Sequence, residues 1–335
     1  MGSVVAMAPA PDGASALALG IDLGGTKIAA GVVDASGRIL GRGHRLTQPQ
    51  EGWEAVVDRM VAAGEEALAQ AGVTAEALAG VGIGSPGPVN PETGVVVEAA
   101  NLFFKNVPLA EAVAARFDRP TYLDHDARVA ALGEYRFGAG QGATHLVFVT
   151  VSTGIGAGII VKGRPHQGAH FAAGELGHTV VMPNGPRCTC GLNGCLEAVA
   201  SGTAIAKLAR EAMARGEAPI LAQLAGHDPE RVDARLVAEG VRRGDPACRQ
   251  VLDQATFYLG LALAGVINLI DCDRIVLGGG VAKMGELLFE PVRRTVAASV
   301  VATGRQVPIV PAALGSDAGI LGAASLALAP LTPGS

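Results

Sequence analysis

The chain is 335 residues long, beyond the length at which one hydrophobic core keeps growing, so two lobes are expected. Charged residues make up 17% of the sequence, and 31 acidic against 26 basic side chains leave a net charge of −5. Because nucleic-acid-binding proteins carry a clustered basic excess, this balance argues against a nucleic-acid partner.

The chain shows no sign of a targeting or membrane segment. Residues 1–16 contain no Lys or Arg and no long apolar core, so no secretory signal is predicted and a cytoplasmic location is expected. The longest apolar run, residues 255–270, is shorter than the ~20 residues that a membrane span requires. It predicts a buried helix and no membrane partner.

The first half of the chain begins with a repeated strand pattern. Residues 1–16 are rich in Ala, Pro and Gly and predict a disordered tail, with order beginning near Leu17. Apolar residues on both sides of 22–27 predict a strand, a glycine turn and a second strand within 18–33. The next elements are predicted as a strand at 38–46, a helix at 53–71, a strand at 78–83, a loop at 84–90, a strand at 120–123, and a helix at 127–137 capped by Asp126.

The second half opens with the same pattern. Residues 145–161 read as a strand, the glycine turn 152–158 and another strand, and a shift of 129 residues places Gly25 on Gly154. This internal echo predicts two lobes, each opening with a strand, a glycine turn and a strand. Later elements are predicted as mostly helix over 200–270, a strand at 274–277, a helix after Gly278–Gly280, a strand at 307–310, and a helix at 318–327.

A compact cluster of histidine and cysteine predicts a structural zinc site. The pattern H-x9-C-x-C-x4-C supplies a Cys₃His set, and glycine and proline turns let so short a loop fold around one ion. The alternative is three structural thiols beside an unrelated histidine. The remaining cysteines, Cys248 and Cys272, are predicted to be buried as small hydrophobes. The predicted zinc ligands are His178, Cys188, Cys190 and Cys195.

Both glycine turns suit phosphate oxygens, because successive backbone N–H groups are exposed there, although neither is a P-loop. Asp22 is placed for a Mg²⁺–water shell, and Thr26 and Thr153 offer hydroxyls to phosphates. Gly278–Gly280 is a candidate for the close approach of adenine or ribose, and a packing turn is the alternative.

Four side chains are candidates for binding a sugar or for catalysing a reaction at one of its hydroxyls. Asp126, between a strand and a helix, is placed to accept a hydroxyl proton as well as to cap the helix. Glu175, His178 and Glu197 border the zinc cluster and are predicted to bind sugar hydroxyls. His178 would use one ring nitrogen for zinc and the other for substrate.

The segments 22–27, 84–89, 152–158, 175–178 and 188–198 together resemble the ROK family (repressor, open reading frame, kinase) and, within it, the bacterial glucokinases. The resemblance spans about residues 17–328. It implies an α/β, two-lobed actin/hexokinase-like (ribonuclease H-like) fold with a zinc-binding loop in the larger lobe. The implied domains are a tail at 1–16, a small α/β lobe at 17–125 completed by a C-terminal helix at 316–330, and a large α/β lobe at 126–315 that carries the zinc loop and nucleotide contacts.

The resemblance also implies an activity, its cofactors and its site residues. ATP-dependent phosphorylation of a hexose is expected, with glucose first, together with Mg²⁺, structural Zn²⁺ and a homodimer or homotetramer. Asp126 is the implied catalytic base. The expected sugar contacts are Ser85, Gly87, Asn101, His125, Asp126, Glu175, His178 and Glu197. The expected nucleotide contacts are Gly20, Asp22, Gly24, Gly25, Thr26, Lys27, Ser152, Thr153, Gly154, Gly156, Gly158, Gly279 and Gly280.

One departure from the family pattern leaves the sugar open. The family usually carries Asn-Asp at the catalytic step, whereas this chain carries His125-Asp126. Imidazole cannot offer a donor and an acceptor in the geometry of an amide, so N-acetylmannosamine, N-acetylglucosamine and fructose remain alternative substrates.

Two other classes of protein are disfavoured. A DNA-binding repressor of the same family is disfavoured because only a short, Ala- and Pro-rich stretch precedes the first glycine turn. A non-catalytic sugar-binding regulator is disfavoured because Asp126 and both turns are present.

Overall fold

The structure is a computed structural model that describes residues 16–328; all but the last position of the predicted tail, 1–16, lies outside the described residues. In chain order its first elements are β1 (Leu17–Leu23), β2 (Lys27–Asp34), β3 (Ile39–Leu46), α1 (Trp53–Ala71), β4 (Leu78–Ser85), β5 (Val89–Asn90), β6 (Val95–Ala99), β7 (Phe104–Val107), α2 (Leu109–Phe117), β8 (Thr121–His125) and α3 (Asp126–Phe137). The later elements are β9 (His145–Val151), β10 (Ile155–Val161), β11 (Arg164–Pro165), α4 (Leu196–Ala200), α5 (Gly202–Ala214), α6 (Pro219–Ala225), α7 (Ala234–Arg242), α8 (Pro246–Ile270), β12 (Arg274–Gly278), α9 (Glu286–Ser299), β13 (Ile309–Pro311) and α10 (Ala318–Ala327).

The described chain forms two compact units. Unit 1 comprises residues 16–142, 160–173 and 316–328, and unit 2 comprises residues 143–159 and 174–315. The division therefore differs in detail from the predicted lobes, since α3 clusters with unit 1, where it packs against α10. The predicted lobe boundaries therefore remain a prediction.

Unit 1 is built on a five-stranded sheet of order β3-β2-β1-β4-β8. β1 runs antiparallel to β2 and parallel to β4, and β4 runs parallel to β8. α10 lies against β1 and β4 at a distance that only glycine permits, since a Cβ on Gly20 would lie 2.1 Å from the Ile320 oxygen. α1 packs against β3 and β2. The carboxyl ends of β1, β4 and β8 therefore lie at the same edge of the sheet. Most candidate site residues of unit 1 lie at or just after these strand ends.

Unit 1 also contains a small sheet and a helix that the sequence did not predict. β5, β6 and β7 form a three-stranded sheet, and α2 follows it. Strands of two to five residues carry too few alternations to be recognised from a sequence. β4 also runs two residues beyond its predicted end, to Ser85, because that residue still pairs with His125 of β8.

Unit 2 is built on a second sheet, whose full order is β11-β10-β9-β12-β13. β12 runs parallel to both β9 and β13. The chain passes from unit 2 into unit 1 within β10, whose last two residues pair with β11 in unit 1. Helices dominate from Leu196 to Ile270, which begins four residues before the predicted range of 200–270.

α8 is the one helix among residues 16–328 that is long and apolar enough to cross a membrane by length and composition alone, with a mean hydropathy of 1.3 over its most apolar stretch. It packs against α4, α5, α7 and α9, and 44% of that stretch is buried inside the protein. Phe257 and Leu269 are 48% and 84% exposed. The predicted buried helix is therefore only partly buried, because α8 is apolar on more than one side.

Candidate active site

The glycine turn of unit 1 connects β1 to β2 and lies beside a predicted sugar contact. The Gly24 N–H donates to the Lys27 oxygen at 3.0 Å, and the Thr47 hydroxyl donates to the Gly24 oxygen at 2.7 Å. A Cβ on Gly25 would lie 2.9 Å from the Asn101 amide nitrogen, so Asn101 covers this turn. Thr26 and Lys27 are exposed. The structure thus brings five predicted residues of unit 1 together.

Asp22, at the end of β1, is a mostly buried carboxyl next to other charges. Burial, and after it the negative charge of Asp126, raise its pKa to about 6, against the opposing effect of Lys27. Two carboxylates whose charges repel each other, one of them beside a glycine turn, are a suitable setting for a hydrated divalent cation. The donor set therefore fits the predicted Mg²⁺.

His125 and Asp126 join β8 to α3, and the structure corrects the predicted helix cap. His125 has extended backbone angles and is the N-cap, with its Nδ1 accepting from the Ala127 N–H at 3.3 Å. Asp126 is already the first helical residue, although its carboxylate also accepts from the Ala127 N–H, at 2.6 Å. The Asp126 side chain is 44% exposed, so a substrate hydroxyl has access to it.

A buried network that the sequence analysis missed supports this junction. Asp124 and Arg128 form an ion pair at 2.7 Å, and both side chains are 2% exposed. The Asp124 carboxylate also accepts from the His125 N–H at 2.7 Å and from the Gln167 amide at 3.2 Å. Arg128 donates to the Phe171 oxygen at 2.8 Å. The four-residue spacing of Asp124 and Arg128 was the only sequence signal for the pair, and nothing local pointed to residues 167–171.

Other predicted residues of unit 1 contribute through the backbone rather than through exposed side chains. Ser85 is fully buried and its hydroxyl donates to the Pro86 oxygen at 3.2 Å. Gly87 has φ = +81°, and a Cβ there would lie 2.0 Å from the Glu98 oxygen. Gly20 is buried against α10 and is not brought to the turn.

The glycine turn of unit 2 lines a cavity of about 400 Å³. Ser152 and Thr153 are exposed in the turn, and the Ser152 oxygen accepts from the Gly202 N–H at 2.7 Å. Gly279 has φ = +87° and approaches the Val151 oxygen so closely that a Cβ would lie 2.3 Å from it. The structure thus brings Ser152, Thr153 and Gly280 to one cavity, whereas Gly156 and Gly158 lie within β10 and do not line it.

The rest of the cavity wall comes from residues that the sequence analysis did not select. Arg210 donates to the Val232 oxygen at 3.0 Å, and its Nε is buried without a hydrogen-bond partner among the described residues. Asp233 is the N-cap of α7 and accepts from the Leu236 N–H at 2.7 Å. In the sequence Asp233 indicates only a helix start, and Arg210 only a position within a helix. The missed residues that line the cavity are Gly202, Thr203, Ala206, Arg210, Val232, Asp233, Ala234, Arg235 and Val281.

The four predicted zinc ligands lie together in unit 2, with all ligand atoms within 4.8 Å of one another. Cys188 Sγ lies 3.7 Å from His178 Nδ1, and the sulfurs of Cys190 and Cys195 are 3.6 Å apart. Neighbouring sulfurs in a tetrahedral zinc site, with bonds of about 2.3 Å, lie about 3.8 Å apart. Burial and the adjacent thiols raise the pKa of Cys195 to about 12, a cost that a bound cation would remove. The cluster therefore fits Zn²⁺.

The zinc loop also carries the predicted acidic sugar contacts. With Nδ1 of His178 towards the cysteines, its Nε2 lies 3.9 Å from a carboxylate oxygen of Glu175. The two side chains are 36% and 49% exposed. Glu197, in α4, accepts from the Ile155 N–H at 2.9 Å and so contacts the glycine turn. This arrangement leaves one ring nitrogen of His178 directed away from the cluster.

The chain is similar to known proteins over most of its length. The ROK family model matches residues 18–329. The chain is 40% identical over 319 residues to a glucokinase from Thermotoga maritima, covering 92% of this chain and 96% of that protein. It is 36% identical to a glucokinase from Streptomyces coelicolor, covering 94% and 98% of the two chains. It is also similar to the crystal structure of a ROK family glucokinase from Streptomyces griseus in complex with glucose and AMPPNP, with 37% identity, a TM-score of 0.78, and 92% and 98% of the two chains covered. The predicted α/β, hexokinase-like fold class is thereby confirmed.

Proposed function

The chain belongs to the ROK family, and from this membership we propose that it transfers the γ-phosphoryl group of ATP to a hexose, forming glucose 6-phosphate from glucose. The observation that carries the proposal is the pair of carboxylates in unit 1: Asp126, which is exposed, and Asp22, which is mostly buried and whose pKa the charge of Asp126 raises. A kinase of this kind needs one proton acceptor and one cation-binding carboxylate, and the pair supplies both.

In the proposed reaction Asp126 takes the proton of the attacking hydroxyl. The hydroxyl oxygen forms a bond to the γ-phosphorus while the bond from that phosphorus to the β,γ-bridging oxygen breaks, and ADP leaves. Asp22 would hold Mg²⁺ through water, and the ion would neutralise phosphate charge. Phosphoryl transfer depends mostly on alignment and charge neutralisation, so little further covalent chemistry is required from the protein.

We propose that each glycine turn, considered within its own unit, is a binding segment for the phosphate oxygens of ATP. In unit 1 the turn Gly24–Lys27 offers backbone N–H groups, a hydroxyl and an ammonium to phosphate oxygens. In unit 2 the turn at Ser152–Gly154 does the same, and the adjoining cavity of about 400 Å³ is of a size suited to the nucleoside. Arg210 lines this cavity, and its buried Nε–H, which lacks a partner among the described residues, would donate to an acceptor atom of the ligand.

We propose that each unit carries its own set of polar side chains that are candidates for binding sugar hydroxyls. In unit 1 these are Asn101, His125 and Asp126, with Ser85 and Gly87 shaping the backbone below them. In unit 2 these are Glu175, His178 and Glu197, the last of which offers its second carboxylate oxygen. Zn²⁺ on Nδ1 of His178 would fix the ring so that Nε2–H donates to a sugar hydroxyl.

We propose an assembly and a location on the basis of the family membership. We propose a homodimer or homotetramer in the cytoplasm. Light scattering of the purified protein at micromolar concentration would give a multiple of the 33.7 kDa chain mass. A monomer at all concentrations would contradict the proposed assembly without affecting the proposed reaction.

A hexose panel tests the substrate. ADP production with ATP would be measured for glucose, N-acetylmannosamine, N-acetylglucosamine and fructose, with mixtures lacking sugar as the control. We expect the largest kcat/KM for glucose. The second candidate function, N-acetylmannosamine kinase, is kept because His125 replaces the asparagine usual in the family. ADP production that no sugar increases would contradict both functions.

A further inference from the structure

α4 connects the zinc loop directly to the glycine turn of unit 2. It has only five residues, and the zinc-cluster residue Cys195 is its N-cap. The start of α4 is held to the loop because the Leu196 N–H donates to the Thr179 oxygen at 2.9 Å. Just beyond its end, the Gly202 N–H donates to the Ser152 oxygen at 2.7 Å. One short helix therefore has the metal cluster at one end and the turn at the other.

Glu197 makes a second connection between the same two parts, through its side chain. Its Oε2 accepts from the Ile155 N–H at 2.9 Å, and a Cβ on Gly154 would lie 2.4 Å from that same oxygen. The carboxylate thus packs directly on the turn backbone, and a side chain at position 154 would displace it. A hydrogen bond from a backbone N–H to an ionised carboxylate is about twice as strong as a neutral one. Glu197 is therefore placed to fix the conformation of an otherwise flexible glycine turn.

We propose that Glu197 is a positioning residue for the nucleotide turn, through which the zinc loop sets nucleotide affinity. The inference rests on the proposed function, because that function assigns the turn at 152–154 to ATP phosphates. It goes beyond the sugar contact expected of Glu197. One oxygen of the carboxylate holds the turn, and the other, Oε1, makes no hydrogen bond within residues 16–328, so it is available to the sugar.

The affinity for ADP, measured by calorimetry in Mg²⁺ buffer, tests the positioning role. Glu197→Ala removes the acceptor, and we expect ADP affinity to fall about tenfold, the scale of one hydrogen bond to a charged group. Glu197→Gln keeps an oxygen that can accept from Ile155, so ADP affinity should stay within about twofold of wild type while the KM for glucose rises. Glu290→Ala, an exposed glutamate of α9, is the matched control and should change neither.

Removal of zinc tests the connection between Glu197 and the zinc loop. Chelation of zinc should lower the ADP affinity of the wild type about as much as Glu197→Ala does, and should add little in Glu197→Ala, because the connection is already broken there. The Glu197 variants retain all four ligand residues, so circular dichroism and zinc content should match wild type.

The possible outcomes distinguish a failure of this inference from a failure of the proposed function. Wild-type protein that binds neither ADP nor ATP would refute the proposed function. Wild-type binding together with unchanged affinity in Glu197→Ala would overturn the inference alone. An equal loss in Glu197→Gln and Glu197→Ala would also overturn it, because the acceptor oxygen would then not be what matters.

Discussion

Asp22 in β1 and Gly319 in the first turn of α10 are in direct contact, since a Cβ on Gly319 would lie 2.5 Å from the carboxylate carbon of Asp22. The Asp22 carboxylate can occupy this position only because residue 319 of the neighbouring helix has no side chain. Any larger residue at position 319 must displace either Asp22 or α10.

Gly319→Ala should accordingly impair catalysis. We expect at least a tenfold fall in kcat/KM for ATP, and a loss of about 1–3 kcal/mol in the free energy of unfolding from overpacking. Gly265→Ala in α8 is the control, because a Cβ there meets no heavy atom within 4 Å and alanine favours helix. Equal activity in the two variants would show that the position of Asp22 does not matter for turnover.

Asp22→Asn should stabilise the protein at neutral pH while lowering activity. The pKa of Asp22 is raised from 3.8 to about 6, so the stability that its proton confers is fully present below pH 3.8 and is lost as the pH rises through 6. Asparagine imitates the protonated form, so without Mg²⁺ the variant should gain roughly 3 kcal/mol at pH 8. Denaturant unfolding at pH 8 and pH 4 measures this gain, which should vanish at the lower pH. A constant difference across this range would contradict the raised pKa.

Zinc should be bound at about one ion per chain, measured by elemental analysis. Cys190→Ser should lower zinc content and sugar affinity together, because Glu175, His178 and Glu197 belong to the same loop and its adjoining helix. Cys272→Ala, at a buried cysteine outside the cluster, should leave zinc content unchanged. Full activity in protein verified as free of zinc would contradict the predicted role of the loop in sugar binding.

His125→Asn should sharpen the preference for glucose. Nδ1 of His125 accepts from the Ala127 N–H, so only Nε2 is left to face a sugar, whereas an amide offers a donor and an acceptor. Asparagine is also a good N-cap, so α3 should keep its start. We expect kcat/KM for glucose relative to mannose, galactose and N-acetylmannosamine to rise by roughly 1 kcal/mol, or about fivefold. Unchanged ratios would show that His125 does not face the sugar.

The sequence predicted best those features that local spacing defines. α1 has the predicted bounds because nineteen residues of strong periodicity identify a helix. The zinc cluster was recognisable because its four ligands fall within residues 178–195. The β5–β7 sheet was not predicted, because strands of two to five residues carry no measurable period.

The missed parts of the candidate site join segments that are distant in the chain. Arg128 reaches the Phe171 oxygen across 43 residues, and Glu197 reaches Ile155 across 42. The cap of α3 was assigned to Asp126 rather than His125 because aspartate is the better N-cap by propensity, whereas the structure extends β8 one residue beyond Asp124. Such contacts depend on tertiary packing, which local spacing does not encode.

The transfer of labelled phosphate from γ-³²P-ATP to glucose, by wild type and by Asp126→Asn, tests the central claim most directly. Asparagine keeps nearly the same shape but cannot accept the hydroxyl proton, so we predict labelled glucose 6-phosphate from the wild type and a fall of ~10² or more in kcat in the variant, with glucose binding largely kept. No labelled sugar from the wild type, or a variant that retains most of its turnover, would contradict the account.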